Sequence, residues 1–435
     1  MNNTTREIVE SSALVEKYEL IHHKSGLDIY VYPKKIATTY ALFATHYGSI
    51  DNKFMIEGEN EHTEVPLGIA HFLEHKMFTK EDGSDSFERF SELGADANAY
   101  TSYDKTVYLF SCTSNFSECL SELIDFVTHP FFTKESVEKE QGIIGEEIGM
   151  YDDSPNNRSY YGMLEGLYHY HDIKNNVCGT VESIAKITPE LLYRCHEVFY
   201  NLSNMALVVC GNVEAEEVIE IADKCLKEQK SVNIIRQKSK NEPPHAAKEK
   251  VISRMLLAKP IFDIGIKDID VPKAPQERER RDIVMSIIAD LLFSSTGALY
   301  SRLYEERLIS PNPSSSYTIS EDFAYTSFSG ESDDPEKVYN IVKEYISKKQ
   351  EEGFCETEFI RCRKVFYSSF VRGLDSADDI ANELVAYIFD GYDFFDYADI
   401  ISKITLEEVN DIFRSAFKPE SFTLSAVYPL DEKSK

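Results

Sequence analysis

Residues 229–250 divide the chain, and that division constrains the fold more than any other feature. The segment QKSVNIIRQKSKNEPPHAAKEK is Lys-rich, carries Pro243-Pro244 and sustains no apolar period, so it reads as a linker between two folded parts. A length of 435 residues also exceeds what one hydrophobic core usually supports. The same rhythm recurs on both sides. In the first part, 27–32 (LDIYVY) and 39–45 (TYALFAT) are rich in β-branched and aromatic residues and predict strands. Helical spacing follows at 68–78 and 87–93, then strands at 97–103 and 106–111. Helices are expected at about 116–128, 133–151 and 188–200, a strand at 205–210 and a helix at 214–227. In the second part a strand starts at Ile261, a helix spans about 275–293, and strands lie near 314–320 and 323–329. Helices at about 335–350, 356–392 and 405–417 precede a strand from Phe422. The expectation is a pair of duplicated α+β domains, 1–228 and 251–435, joined by 229–250.

Charge narrows the partners. Lys and Arg number 46 against 75 Asp and Glu, a net −29. Such a surface repels phosphate backbones and anionic headgroups, so neither nucleic acid nor a membrane is an expected partner. It would attract cationic peptides, although solubility accounts for most of the charge. The N-terminal MNNTTREIVESSALVEKYEL lacks a basic start followed by an apolar run, so no secretory leader is expected. No stretch approaches the roughly 18 apolar residues of a spanning helix. Eight cysteines are scattered without a C-x-x-C pair, a pattern that suits reduced thiols and predicts a cytoplasmic protein.

The chemistry concentrates in Gly68-Ile69-Ala70-His71-Phe72-Leu73-Glu74-His75. Positions four apart on a helix lie on one face, so both imidazoles can reach one metal ion. Glu74 points to the same side and can take a proton beside them. Zinc suits such a set, because it takes imidazole nitrogen and carboxylate oxygen and keeps a position open in catalytic sites. An isolated match of this length is equally well a pair of histidines on an amphipathic helix. A third donor is needed. The helical segment 137–151 (VEKEQGIIGEEIGMY) places Glu140 and Glu147 two turns apart on one face. Glu147 would be the donor and Glu140 the partner of a histidine N–H, with Glu146 as the neighbouring alternative. Taken alone, an acidic face is more often simply solvated.

Together these segments resemble the inverted zinc motif, H-x-x-E-H, of the pitrilysin or insulinase metallopeptidases, which include the mitochondrial processing peptidase. His75 and Glu147 are 72 positions apart (147 − 75), with Glu140 seven before Glu147, as the family pattern requires. Gly94–Thr101 (GADANAYT), Gly179–Ile184 (GTVESI) and Ser203-Asn204-Met205 running into LVVCGNV are similar as well. The likeness spans about residues 20–225 and, more weakly, the second part. It extends to the processing peptidase beta subunit and to the paired pitrilysin-like proteins of low-GC Gram-positive bacteria, in which one member keeps the zinc motif.

The resemblance implies two homologous domains, each a mainly antiparallel sheet packed by helices. The first would bind Zn²⁺ through His71, His75 and Glu147, and the second would help to enclose the substrate. It implies an endopeptidase acting on peptides or short unfolded polypeptides, with a zinc-activated water whose proton Glu74 accepts. Residues 97–103 resemble the edge strand that receives an extended substrate, with Asn98, Ala99 and Tyr100 at the contact positions.

One part of the pattern departs from the family. Self-sufficient members grip the substrate carbonyl with an Arg and a Tyr in the second domain. Here SRLYEERLI (301–309) puts Tyr304 where the Arg would fall, and Tyr317 is the nearest downstream Tyr. That implies a dimer with a related zinc-less subunit, or else a homodimer. The Tyr-rich stretch from Arg158 to Tyr170 is a candidate lining of the substrate chamber, and His169 and His171 read as surplus surface histidines. A competing reading is a scaffold or regulatory subunit that keeps only the fold. Retention of His71, Glu74, His75 and Glu147 argues against it.

Overall fold

The computed structural model describes residues 4–237 and 241–430. The first strands are β1 (Thr5–Ser11), β2 (Glu16–His22), β3 (Asp28–Pro33), β4 (Thr39–Thr45), β5 (Lys53–Ile56) and β6 (Thr63–Glu64). Then come α1 (Ile69–Met77), α2 (Ser86–Leu93), β7 (Asp96–Thr101), β8 (Thr106–Cys112), α3 (Phe116–Thr128), α4 (Lys134–Asp152) and α5 (Pro155–Leu167). They are followed by α6 (Val181–Ile184), α7 (Pro189–Phe199), β9 (Met205–Gly211), α8 (Ala215–Cys225) and β10 (Ile234–Arg236). The rest comprises β11 (Lys250–Met255), β12 (Ile261–Lys267), α9 (Pro275–Phe293), α10 (Ala298–Glu305), β13 (Ser314–Ile319) and β14 (Ala324–Glu331). It ends with α11 (Pro335–Glu352), α12 (Glu356–Gly373), α13 (Ala377–Asp390), α14 (Asp396–Lys403), α15 (Leu406–Ala416) and β15 (Phe422–Pro429).

The chain forms two compact units, each with its own hydrophobic core. The main sheet of unit 1 has the order β1-β2-β3-β9-β4-β8-β7, and that of unit 2 the order β11-β15-β12-β14-β13. Without the added hairpin β1–β2, both sheets read first-last-second-fourth-third in chain order. The first and last strands pair in parallel in each, β3 with β9 and β11 with β15, while the other pairs are antiparallel. The duplication expected from the sequence is therefore visible strand by strand.

Unit membership follows chain order except at two segments. Gly149–Asn175, which contains α5, belongs to unit 2, and Val371–Phe389, which contains most of α13, belongs to unit 1. The two helices occupy the same place in their halves, directly after α4 and α12. The exchange has a cause in the sequence. A Cβ on Gly162 would lie 2.4 Å from Ser425 Oγ, and one on Gly166 would lie 2.2 Å from Thr423 Oγ1. This glycine pair, one turn apart, lets α5 lie directly on β15. In unit 1, Asn382 of α13 donates to Tyr40 Oη at 3.2 Å, and Phe389 stacks on His46 with centroids 4.9 Å apart.

Several expectations are corrected. Within the expected linker, 229–250, lies a strand the sequence does not announce, β10, which pairs antiparallel with β5, and Lys250 opens β11; residues 238–240 of that segment lie outside the described residues. The single helix expected over 356–392 is two, α12 and α13, and Ser376 Oγ accepts from Asp379 N at 3.2 Å to start the second. His171 is not a surface residue: it is 3% exposed, its Nδ1 accepts from Ile173 N at 3.1 Å and its Nε2 lies 3.3 Å from Asp322. His169 is half-buried, its ring 4.9 Å from that of His245. By length and composition the helical run Pro275–Glu305 is apolar enough to cross a membrane. In the fold α9 is a core helix of unit 2, burying Ile283, Val284, Ile287, Ile288 and Leu292.

Candidate metal centre

Helix α1 begins where only glycine fits. Gly68 has φ +89°, and a Cβ there would lie 2.4 Å from Cys178 O. Gly179 mirrors it, with φ +74° and a Cβ that would lie 2.4 Å from Leu67 O. Ser183 Oγ donates to Leu67 O at 2.8 Å. Residues Gly179–Ser183 thus clasp the start of the motif helix, which gives the GTVESI segment a physical role. Ile69, Phe72, Leu73 and Met77 of α1 are buried in the core of unit 1. In α4, Val137, Ile144 and Ile148 are buried, and Glu140 and Glu147 stand half-buried on an adjoining face.

The two helices bring three donors together. His71 Nε2 lies 3.7 Å from Glu147 Oε1, and His75 Nε2 lies 3.6 Å from Glu147 Oε2. One donor atom from each of the three residues lies within 4.8 Å of the other two. Ligands 2.0–2.2 Å from a tetrahedral zinc stand roughly 3.3–3.6 Å apart, so the spacing fits such an ion. His75 Nδ1 is 3.2 Å from Glu140 Oε1, which leaves Nε2 facing the site. Glu140 also pairs with Lys76 Nζ at 3.6 Å. His71 Nδ1 is buried without a hydrogen-bond partner among the described residues. Glu146 is exposed and stands outside the cluster.

The electrostatics agree with donor chemistry. Burial, helped by the charge on His75, pushes His71 down to about 3, so its imidazole is neutral and able to bind a cation. Burial also lowers His75, but the bond to Glu140 and the charges of Glu74 and Glu147 outweigh it and raise the net value. Glu140 is pushed up by burial and pulled further down by His75 and Lys76. Glu74 is 8% exposed and burial raises it above the usual carboxylate range; the bond from Thr101 opposes that shift.

The other expected residues are placed as follows. Asn98, Ala99 and Tyr100 lie on β7, the edge strand of the main sheet of unit 1. Asn98 Oδ1 accepts from Ala99 N at 2.9 Å, and Tyr100 Oη donates to Asn382 Oδ1 at 3.0 Å. Tyr317 belongs to unit 2 and is buried, its Oη donating to Asp268 Oδ2 at 2.7 Å. The sequence gives no site role to Cys178, whose Sγ lies 3.9 Å from His71 Nε2, or to Thr101, whose Oγ1 donates to Glu74 Oε2 at 2.6 Å. Burial, then Glu147 and Glu74, push the Cys178 thiol up to about 12. The only signal for Thr101 is its place at the end of GADANAYT.

Comparison with known proteins then bears on the whole chain. The family description "Insulinase (Peptidase family M16)" matches residues 57–180, which include α1, α4 and the first two residues of the clasp, and "Peptidase M16 inactive domain" matches residues 186–366. YmfH, an uncharacterised zinc protease of Bacillus subtilis, is 39% identical over 417 residues, covering 94% of this chain and 96% of its own. The chain belongs to the insulinase family of peptidases, family M16. An M16-like protein from Alicyclobacillus acidocaldarius has a crystal structure that superposes with a TM-score of 0.91 at 32% identity, covering 97% of this chain and all of that one. A Schizosaccharomyces pombe protein named as a probable mitochondrial-processing peptidase beta subunit is 29% identical over 171 residues, 38% of this chain and 37% of that one. The α+β fold with two duplicated, mainly antiparallel sheets is thus an M16 fold.

Proposed function

We propose that this chain is a zinc-dependent endopeptidase that hydrolyses peptides or short unfolded polypeptides, with zinc held by His71, His75 and Glu147. The observation that carries the reading is the convergence of these three donors from α1 and α4, with the Glu74 carboxyl beside them and outside the donor set. A zinc ion, when bound there, supplies Lewis-acid polarisation of the scissile carbonyl and makes water acidic near neutral pH. The protein's own groups do the rest. His71 is held neutral by burial, and Glu140 orients His75 through its Nδ1. Glu74 accepts the proton of the attacking water and passes it to the leaving amine. The open edge of β7 takes an extended substrate as a further strand through main-chain hydrogen bonds, at Asn98, Ala99 and Tyr100. Tyr317 would grip the substrate only by exchanging its bond to Asp268.

A dimer belongs to the same proposal, with a related zinc-less subunit or with a second copy, because Tyr304 stands where a carbonyl-gripping Arg is expected. Eight free cysteines, six of them buried, support a reducing compartment such as the cytoplasm. The test is peptide cleavage by the purified chain, alone and with its paired subunit, beside its Glu74→Gln variant. We expect one zinc per chain in both proteins and a kcat about 10²- to 10⁴-fold lower in the variant. Bound zinc without cleavage under any pairing would favour the scaffold reading.

A further inference from the structure

We infer that Thr101 is the positioning residue for Glu74: its hydroxyl holds Glu74 Oε2 and leaves Oε1 as the oxygen that takes the proton. The inference rests on Glu74 being the general base, as proposed above. Thr101 is the last residue of β7 and faces Thr106 across the hairpin. Its Oγ1 lies 2.6 Å from Glu74 Oε2 and 3.3 Å from Thr106 Oγ1. Thr106 Oγ1 in turn lies 3.0 Å from Tyr47 O. A carbonyl oxygen can only accept, so the single hydroxyl proton of Thr106 goes to Tyr47. The single proton of Thr101 then goes to the carboxylate, at a separation typical of an O–H···O⁻ bond. Thr106 Oγ1 is also an acceptor, but at 3.3 Å it competes poorly with the carboxylate oxygen at 2.6 Å.

The hydroxyl is itself held by backbone. Gly48, just past the end of β4, sits so close to the hairpin turn that a Cβ there would lie 2.2 Å from Tyr103 O. Ser49 N donates to Ser102 O at 3.0 Å, and Ile50 N donates to Tyr103 O at 3.1 Å. The turn therefore cannot slide without breaking main-chain bonds, and Thr101 is fixed with it. A carboxylate has a broad terminal torsion, so pinning one oxygen selects its orientation. Misplacing a reacting group by about 1 Å can cost on the order of a hundredfold in rate. Thr101 also shares β7 with Asn98 and Ala99, so the strand that receives the substrate carries the clamp on the base. Base and substrate are registered on one element.

The test compares Thr101→Val, which keeps the shape and loses the hydroxyl, with Thr101→Ser, which keeps the hydroxyl. The zinc-loaded full chain, with its partner subunit where activity needs one, is assayed on a quenched fluorescent peptide. We expect the Val variant to lose about 10- to 100-fold in kcat with KM within about twofold, and the Ser variant to stay within about threefold of wild type. Both should bind one zinc. In crystals of the metal-free Val variant, the Glu74 carboxylate should leave its wild-type orientation. Unchanged kcat in the Val variant at full zinc occupancy overturns the inference. So does an equal loss in both variants, or a Glu74 orientation that stays fixed without the hydroxyl. A wild type that holds zinc and cleaves nothing under any pairing defeats the general-base reading instead, and the inference falls with it.

Discussion

In unit 1 the helix after the second strand of the five-strand frame is α1, with His71, Glu74 and His75; in unit 2 the helix at that place is α9, which has no histidine. After the fourth strand come α3 and α4 in one unit and α11 and α12 in the other. Helix α4 brings Glu140 and Glu147, whereas α12 brings Arg361, Arg363 and Lys364. The buried polar groups differ in kind too. In unit 2, Asp268 binds Arg281 through two bonds of 2.7 and 2.8 Å and accepts from Tyr317 at 2.7 Å, a cluster closed on itself. In unit 1 the donors stand 3.6 and 3.7 Å apart, too far to bond one another and spaced for an ion between them. One frame thus serves two ends. A cation site needs complementary donors on both helices, and duplication alone does not supply them.

The comparison breaks most easily at the metal. His71→Ala or Glu147→Ala should take zinc from one per chain to near none by elemental analysis, and Glu140→Gln should weaken zinc binding about 10- to 100-fold. Arg361→Ala on the exposed face of α12 should leave zinc content unchanged; zinc lost there would mean that the units do not divide the labour as described. Next in size is the closed cluster of unit 2. Asp268→Ala leaves Arg281 buried with only Asp270, 3.9 Å away, as a carboxylate partner, which should cost about 3 kcal/mol in denaturant unfolding while zinc content stays intact. The smallest effect is on pH. Burial, with Asp396, Asp393 and Asp282, pushes Glu279 of α9 up to about 8. Between its unfolded value near 4.5 and that figure, the folded chain holds a proton that the unfolded chain has released. Stability therefore falls as pH rises through this window, and Glu279→Gln should flatten the fall. Parallel pH profiles for the two proteins would remove that assignment.

The strands richest in β-branched and aromatic residues, such as TYALFAT and MALVVC, are legible in the sequence because they are buried on both faces. The hairpin β1–β2 is not, since TREIVES is largely exposed and its charges conceal the strand. The short β10 is hidden by Lys-rich neighbours and stabilised by β5, a partner far away in sequence. The candidate donor helices are legible because a set of metal donors would impose fixed spacing, four positions from one histidine to the next and seven from one glutamate to the next. Thr101 escapes that logic. It reaches Glu74 through a hairpin, so no interval in the sequence announces the bond. The exchange of α5 escapes it as well, because Gly162 and Gly166 acquire meaning only once Thr423 and Ser425 lie against them.

The central claim is that three side chains from α1 and α4 share one zinc ion. Anomalous diffraction collected on either side of the zinc edge, from crystals of the chain grown with zinc, tests it directly. A single strong peak is expected, bonded to His71 Nε2, His75 Nε2 and the Glu147 carboxylate, with Glu74 unbonded beside it. A peak elsewhere, or an imidazole pair that stays empty under zinc saturation, would contradict it.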